Sequence, residues 1–197
     1  MDFDAFSAGV EPGGLRNKSD IGVLICYILD SVGKPFRTED LLNIIQENGL
    51  ANYFETNSAI AELVKCKNIQ YTDDTQEYIE ITDNGKLISH QLNTSLSLSI
   101  RQKAIGATMR LVEKRKVEQE NPVSIHKAEG GGYNVTFRIT DGMRDLMSLT
   151  LFVPDLSEAN AVKRNFHNNP ERMYSIILAA VIGEKEMIDE ALKELNK

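Results

Sequence analysis

The hydrophobic period of this chain changes at Pro122, and that change constrains the fold more than any other feature. Before it, apolar residues mostly recur at every third or fourth position, which is helical spacing. After it they alternate, which is strand spacing. Tyr133, Val135, Phe137 and Ile139 alternate with Asn134, Thr136, Arg138 and Thr140, and Met147, Leu149, Leu151 and Val153 form a second alternating run. A chain that separates its two periods in this way is expected to be α+β. Three segments follow: a helical domain with a hairpin over 1–92, a connecting helix over 93–121 and an antiparallel sheet with packed helices over 122–197.

Within the first segment, Ile21, Leu24, Ile25, Ile28, Leu29 and Val32 predict a helix that opens at Ser19-Asp20 and ends at Gly33-Lys34-Pro35. Thr38 is the expected cap of a second helix, with Glu39 and Asp40 in its first turn and Asn48-Gly49 at its end. A third helix is expected over about 52–66, with Phe54, Ile60, Ala61, Leu63 and Val64 facing inward. The period then shortens into a hairpin over 68–82, turning at Thr72-Asp73-Asp74-Thr75, before Thr82-Asp83-Asn84-Gly85-Lys86 restarts a helix. Three helices, a hairpin and a new helix make the order of a helix-turn-helix with one β wing.

Leu98, Arg101, Ile105, Met109, Val112 and Lys116 are spaced as one stripe of a long helix reaching Glu120. In the last segment, Gly130-Gly131-Gly132 and Asp141-Gly142 predict turns between strands. Helices are expected from Ser157, from Asn169-Pro170, and over 184–196, where Met187, Ile188, Ala191, Leu192 and Leu195 share a face. About 75 residues is small for a self-sufficient core, so this segment is expected to pack against a partner.

Two of these stretches, with one near the N-terminus, carry a resemblance. Ala8-Gly9-Val10-Glu11-Pro12-Gly13-Gly14-Leu15, Gly49-Leu50-Ala51-Asn52-Tyr53-Phe54-Glu55-Thr56-Asn57 and Ile81-Thr82-Asp83-Asn84-Gly85-Lys86 resemble an uncharacterised bacterial family, a domain of unknown function. The resemblance implies a winged-helix N-terminal domain followed by a small α+β domain, and it brings no activity. The threonine-acid-x-Gly-Lys run after the hairpin also resembles winged-helix repressors of multidrug efflux and phenolic-acid response. In that class helix three enters the DNA major groove, the wing touches the backbone and outlying helices form the dimer.

Charge is uneven along the chain. The net formal charge is −7, yet residues 1–92 sum to −8, residues 93–127 to +4 and residues 128–197 to −3. An acidic total excludes coating nucleic acid by charge alone and leaves site-specific binding open. Thr56, Asn57 and Ser58 near the start of helix three are the candidate base readers, and Arg16, Lys18, Arg37, Lys65, Lys67 and Lys86 the candidate phosphate contacts. Against them stand Glu55 and Glu62 on the reading helix and Asp73 and Asp74 at the wing tip, carboxylates that repel phosphate. The expected function is a DNA-binding transcriptional regulator acting as a homodimer, with the C-terminal domain completing the dimer or sensing a small-molecule effector. The alternative is a winged-helix protein-interaction module. A third reading places an enzyme in the C-terminal domain, where Tyr133, Arg138, Arg144 and Phe152 frame a pocket or simply lie on the surface.

The remaining features read plainly. The basic run Arg101 to Lys116 is expected to be a solvated dimerisation helix. The glycine triplet lacks the Lys-Ser/Thr of a phosphate loop and is followed by a strand. Cys26 sits among apolar neighbours as a core residue, and Cys66 has flanking lysines but no resolving partner. His90, His126 and His167 have no companion at metal-ligand spacing, and no nucleophile elbow is present, so neither metal, cofactor nor catalysis is expected. The acidic start, Met1-Asp2-Phe3-Asp4, is unlike an export signal, two cysteines offer no disulfide framework, and no apolar run has membrane length, so the chain reads as cytoplasmic.

Overall fold

The computed structural model describes residues 14–183 together with 185, 186 and 189. The arm over 8–13 and most of the amphipathic segment over 184–196 lie outside the described residues. The chain is mixed α+β, with two antiparallel three-stranded sheets, and it divides into two compact units, Met1–Val112 and Glu113–Lys197.

The first unit runs α1 (Lys18–Val32), β1 (Phe36–Arg37), α2 (Thr38–Glu47), α3 (Tyr53–Lys65), β2 (Ile69–Tyr71), β3 (Tyr78–Ile81) and α4 (Asp83–Leu92). Its strands are ordered β1-β3-β2. Asn17 caps α1 by accepting from the Ser19 N–H, two residues before the expected start, and Gly33 closes it in the left-handed region at φ 66°. Almost every apolar side chain of α1 is buried, with Ile21, Leu24, Ile25 and Ile28 fully enclosed beside Leu41, Ile45, Leu50, Ile69 and Ile79.

The two-residue strand β1, absent from the sequence reading, pairs Phe36 with Ile79 and Arg37 with Tyr78. It also corrects the expected role of Thr38. The residue lies inside α2, and its hydroxyl donates to the Gln76 carbonyl at 2.9 Å while its N–H donates to Glu77. Thr38 ties the start of α2 to the hairpin instead of capping the helix.

At the other end of the hairpin, Thr82 caps α4. Its hydroxyl lies 2.8 Å from the Lys67 carbonyl and 2.9 Å from that of Asn68, and it accepts from the Gly85 N–H. This explains the Thr82-to-Lys86 run without reference to a ligand. It knots the exit of α3, the end of β3 and the start of α4 in one place.

α5 (Leu98–Glu120) spans the division between the units. Its buried face is Ile100, Ala104, Ala107 and Thr108, with Leu111 and Val112 packed alongside. The expected stripe is therefore out of phase: Leu98 and Met109 are exposed. Small residues on the buried face let the helix approach closely, and Thr108 satisfies its hydroxyl on the Ala104 carbonyl at 2.8 Å.

The second unit adds β4 (Val123–Lys127), β5 (Tyr133–Thr140), β6 (Asp145–Val153), α6 (Leu156–Asn168) and α7 (Pro170–Ile182), the sheet running β4-β5-β6. Val135, Phe137 and Ile139 of β5 point into the core, where Phe137 meets Phe166 of α6 at a ring separation of 4.6 Å. At the β5–β6 turn, the Asp141 carboxylate accepts from the N–H groups of Met143 and Arg144 and from the Arg144 guanidinium. These bonds, that of Met143 first, hold its pKa below the ordinary carboxylate value.

Candidate nucleic-acid interface

The phase of α3 decides which side chains the first unit presents. Asn52 caps the helix by accepting from the Glu55 N–H at 2.8 Å. The buried side of the helix is then Thr56, Ala59, Ile60 and Leu63, at positions i, i+3, i+4 and i+7. Thr56 is 1% exposed, and its hydroxyl donates to the Asn52 carbonyl at 2.7 Å. It is removed from the set of base readers, because its one polar atom is satisfied inside the helix and faces the core.

The opposite error concerns Phe54, expected inside but 79% exposed and packed edge-on against Tyr53 at a ring separation of 5.8 Å. Ala61, also expected inside, is exposed, and Ala59 takes the buried position. Size misled the sequence reading here. The helix turns its small Thr-Ala side to the tightly packed core and leaves its largest ring outside.

The presented face of α3 is Phe54, Asn57, Ser58, Ala61, Glu62 and Lys65, with Ser58 and Asn57 partly covered. The Asn57 side-chain amide donates to the Tyr53 carbonyl at 2.9 Å, and its carbonyl oxygen makes no hydrogen bond among the described residues. Glu55 is half-buried beside this face, whereas Glu62 is exposed.

The six candidate phosphate contacts separate into two groups. Arg37 bonds Glu77 at 2.7 Å and Lys86 bonds Asp83 at 3.1 Å, so each cation is already compensated by a neighbouring acid. Arg16, Lys18, Lys65 and Lys67 are exposed, and no salt bridge to any of them occurs among the described residues. Lys67 holds φ 56°, a left-handed conformation that turns the chain from α3 into β2. Lys18 and Glu62 both line a cleft of about 360 Å³ between α1, α3 and α4, with no ion pair between them.

At the hairpin tip, Asp73 acts on its own turn: its carboxylate accepts from the Thr75 N–H at 3.1 Å and from the Thr75 hydroxyl at 2.6 Å. Asp74 is exposed beside it.

In the second unit, the four residues considered for a pocket do not converge. Tyr133 packs with the core cluster on the covered side of the sheet, while Arg138 and Phe152 fall at the opposite parity of β5 and β6. Arg138 and Arg144 lie near Asp145 and Asp141, respectively. A cation group that linear sequence disperses is found elsewhere: Lys114 of α5 and Lys163 and Arg164 of α6 line a cleft of about 520 Å³ with Glu118 and His167. The cations come from positions about fifty residues apart, so only folding brings them together.

The thiols and imidazoles take ordinary places. Cys26 is buried, and burial followed by the Asp30 charge pushes its pKa up to about 12. Cys66 is exposed at the end of α3. His90 contacts Asp30 at 3.0 Å, and His167 contacts the Asn121 carbonyl at 2.9 Å. Among the described residues no helix is long and apolar enough to cross a membrane.

The fold thus defines an α+β protein of two units whose first unit exposes one face of a capped third helix beside uncompensated lysines. The chain belongs to the family described as Domain of unknown function (DUF4364), whose model matches residues 21–181. No curated protein and no solved structure matches it.

Proposed function

We propose that this protein is a winged-helix transcriptional regulator that acts in the cytoplasm as a homodimer on specific DNA. α3 is the reading helix and the β2–β3 hairpin the wing. The observation that carries the reading is the juxtaposition of the Asn57 and Ser58 surface with the uncompensated Lys18, Lys65 and Lys67 around the same helix. Asn pairs with adenine edges and Ser with several bases, while the lysines hold phosphates and fix register. The element order and the β1-β3-β2 sheet support the same reading. The second unit serves the dimer or takes up an effector that prefers one arrangement of two reading helices. No catalytic step is assigned to any residue.

Charge reversal tests it. Lys65→Glu with Lys67→Glu abolishes the DNA complex and flattens its salt dependence on this reading.

A second reading has its own observation. Phe54 and Tyr53 form an exposed aromatic pair at the start of α3, next to Glu55, with Glu62 about two turns further along the same helix. Such a surface fits a protein partner with a basic rim around an apolar pocket. In that case Phe54→Ala weakens the partner and the two lysine reversals leave it bound.

A further inference from the structure

The second sheet has two unlike edges. β4 is five residues long, follows Pro122 and carries exposed His126 and Lys127, features that blunt an edge against further pairing. β6 is nine residues long and contains no Lys, Arg or Pro; its one charge, Asp145, stands at its first position. β5 pairs along one side of β6, and among the described residues no strand pairs along the other. Leu146, Leu151 and Phe152 of this strand are exposed, Phe152 to 63%. A long, neutral edge with unpaired backbone groups is complementary to another strand.

We propose that β6 is the dimer interface, pairing antiparallel with β6 of a second copy to join two three-stranded sheets into one of six. The strand's own sequence selects a second copy as the occupant. In the two-fold register centred on Leu149, Leu149 lies opposite itself and Met147 opposite Leu151. Ser148 lies opposite Thr150. Each pairing matches in polarity and stays on one face, because side chains alternate from Met147 to Leu151; at Leu146 the strand carries an extra residue opposite the Ile139–Thr140 step of β5, a bulge that ends the regular ladder. Asp145 lies beyond the bulge, so the two carboxylates stand at opposite ends of the paired strands. The five residues from Met147 to Leu151, at about 3.4 Å each, make a regular seam roughly 17 Å long. Met147 and Leu149 already pack beside Phe137, Ile139 and Phe166, so the seam continues an existing core. An isologous contact of this kind closes on itself and stops at two copies.

The inference rests on the homodimer part of the function proposed above and is independent of what α3 binds. Ser148 and Thr150 are exposed and lie at the parity opposite to the core-facing residues, so they can be changed without entering the core. Sedimentation of the full chain is expected to show a dimer, and Ser148→Lys with Thr150→Lys is expected to weaken it at least about tenfold, since the new ammonium groups face each other across the seam. An equal mixture with the Ser148→Glu, Thr150→Glu variant restores a mixed dimer, and circular dichroism of each variant matches the parent. As a check needing no substitution, β6 amides along the free edge are protected from hydrogen exchange at high protein concentration and lose protection on dilution. A monomeric parent, or a lysine variant that dimerises as tightly as the parent, overturns the proposal. The first result also removes the homodimer, and the second leaves it with another interface. A dimer joined through β6 that binds no DNA contradicts the regulator reading and leaves this inference standing.

Discussion

Gly85 packs against the carbonyl of Asn68 with no room for a side chain. A Cβ there would collide with the Asn68 backbone and stand 2.7 Å from Cγ1 of Ile81. The contact sits at the knot made by Thr82, where α3 ends and α4 begins. Gly85→Ala is therefore expected to destabilise the first unit by about 2–3 kcal/mol, measured by urea unfolding, because backbone cannot yield as a flexible side chain can. Lys86→Ala, one residue on and exposed, is expected to change stability by less than about 0.5 kcal/mol.

Thr56 and Asn57 are expected to separate a structural role from recognition within one helix. Thr56→Val removes a hydroxyl already satisfied by Asn52, and the Thr56 N–H keeps its own bond to the same carbonyl at 3.0 Å. Affinity for DNA is expected to be unchanged. Asn57→Ala, on the presented face, is expected to cost roughly 1–3 kcal/mol of discrimination at one base position, about tenfold or more, with little loss on non-specific DNA. Competition assays with single-base operator variants read the difference.

Free and compensated cations are expected to differ in salt dependence. Lys65→Ala and Lys67→Ala each lower the slope of log K against log salt by about 1 in magnitude. Arg37→Ala and Lys86→Ala lower it by less, since Glu77 and Asp83 already neutralise those side chains locally.

The two thiols are expected to react differently. Cys66 is exposed, whereas Cys26 is buried with its pKa raised from 9.0 to about 12. In the folded protein an alkylating reagent is expected to label one thiol at pH 8, and both after denaturation. The shift also sets a sign for stability. A raised folded pKa contributes fully below about 9 and is lost as pH climbs through 12, so unfolding becomes easier in that window. Cys26→Ala is expected to flatten this alkaline decline.

Much of the architecture was legible because hydrophobic period and capping residues are local signals. Asn52, Thr82, and Asn169 before Pro170 mark helix starts, and the alternation of β5 marks its buried face. The candidate interface was less legible, because helix phase depends on what the core admits. Thr56 and Phe54 traded places for that reason, and Ala104, Ala107 and Thr108 displaced a stripe of larger residues on α5. β1 left no pattern, since two residues do not make a period, and its partner lies more than forty residues away in β3. The compensation of Arg37 by Glu77 was hidden by the same separation. The cation cleft of Lys114, Lys163 and Arg164 depends on the packing within the second unit.

Selection of bound fragments from sheared DNA of the source genome, followed by titration of the enriched duplex, tests the central claim most directly. A specific regulator recovers a defined site and binds it about a thousandfold or more tightly than a scrambled duplex, with the preference retained as salt rises from about 50 to 200 mM. Recovery of no defined site, or binding that falls equally for both duplexes as salt rises, contradicts it.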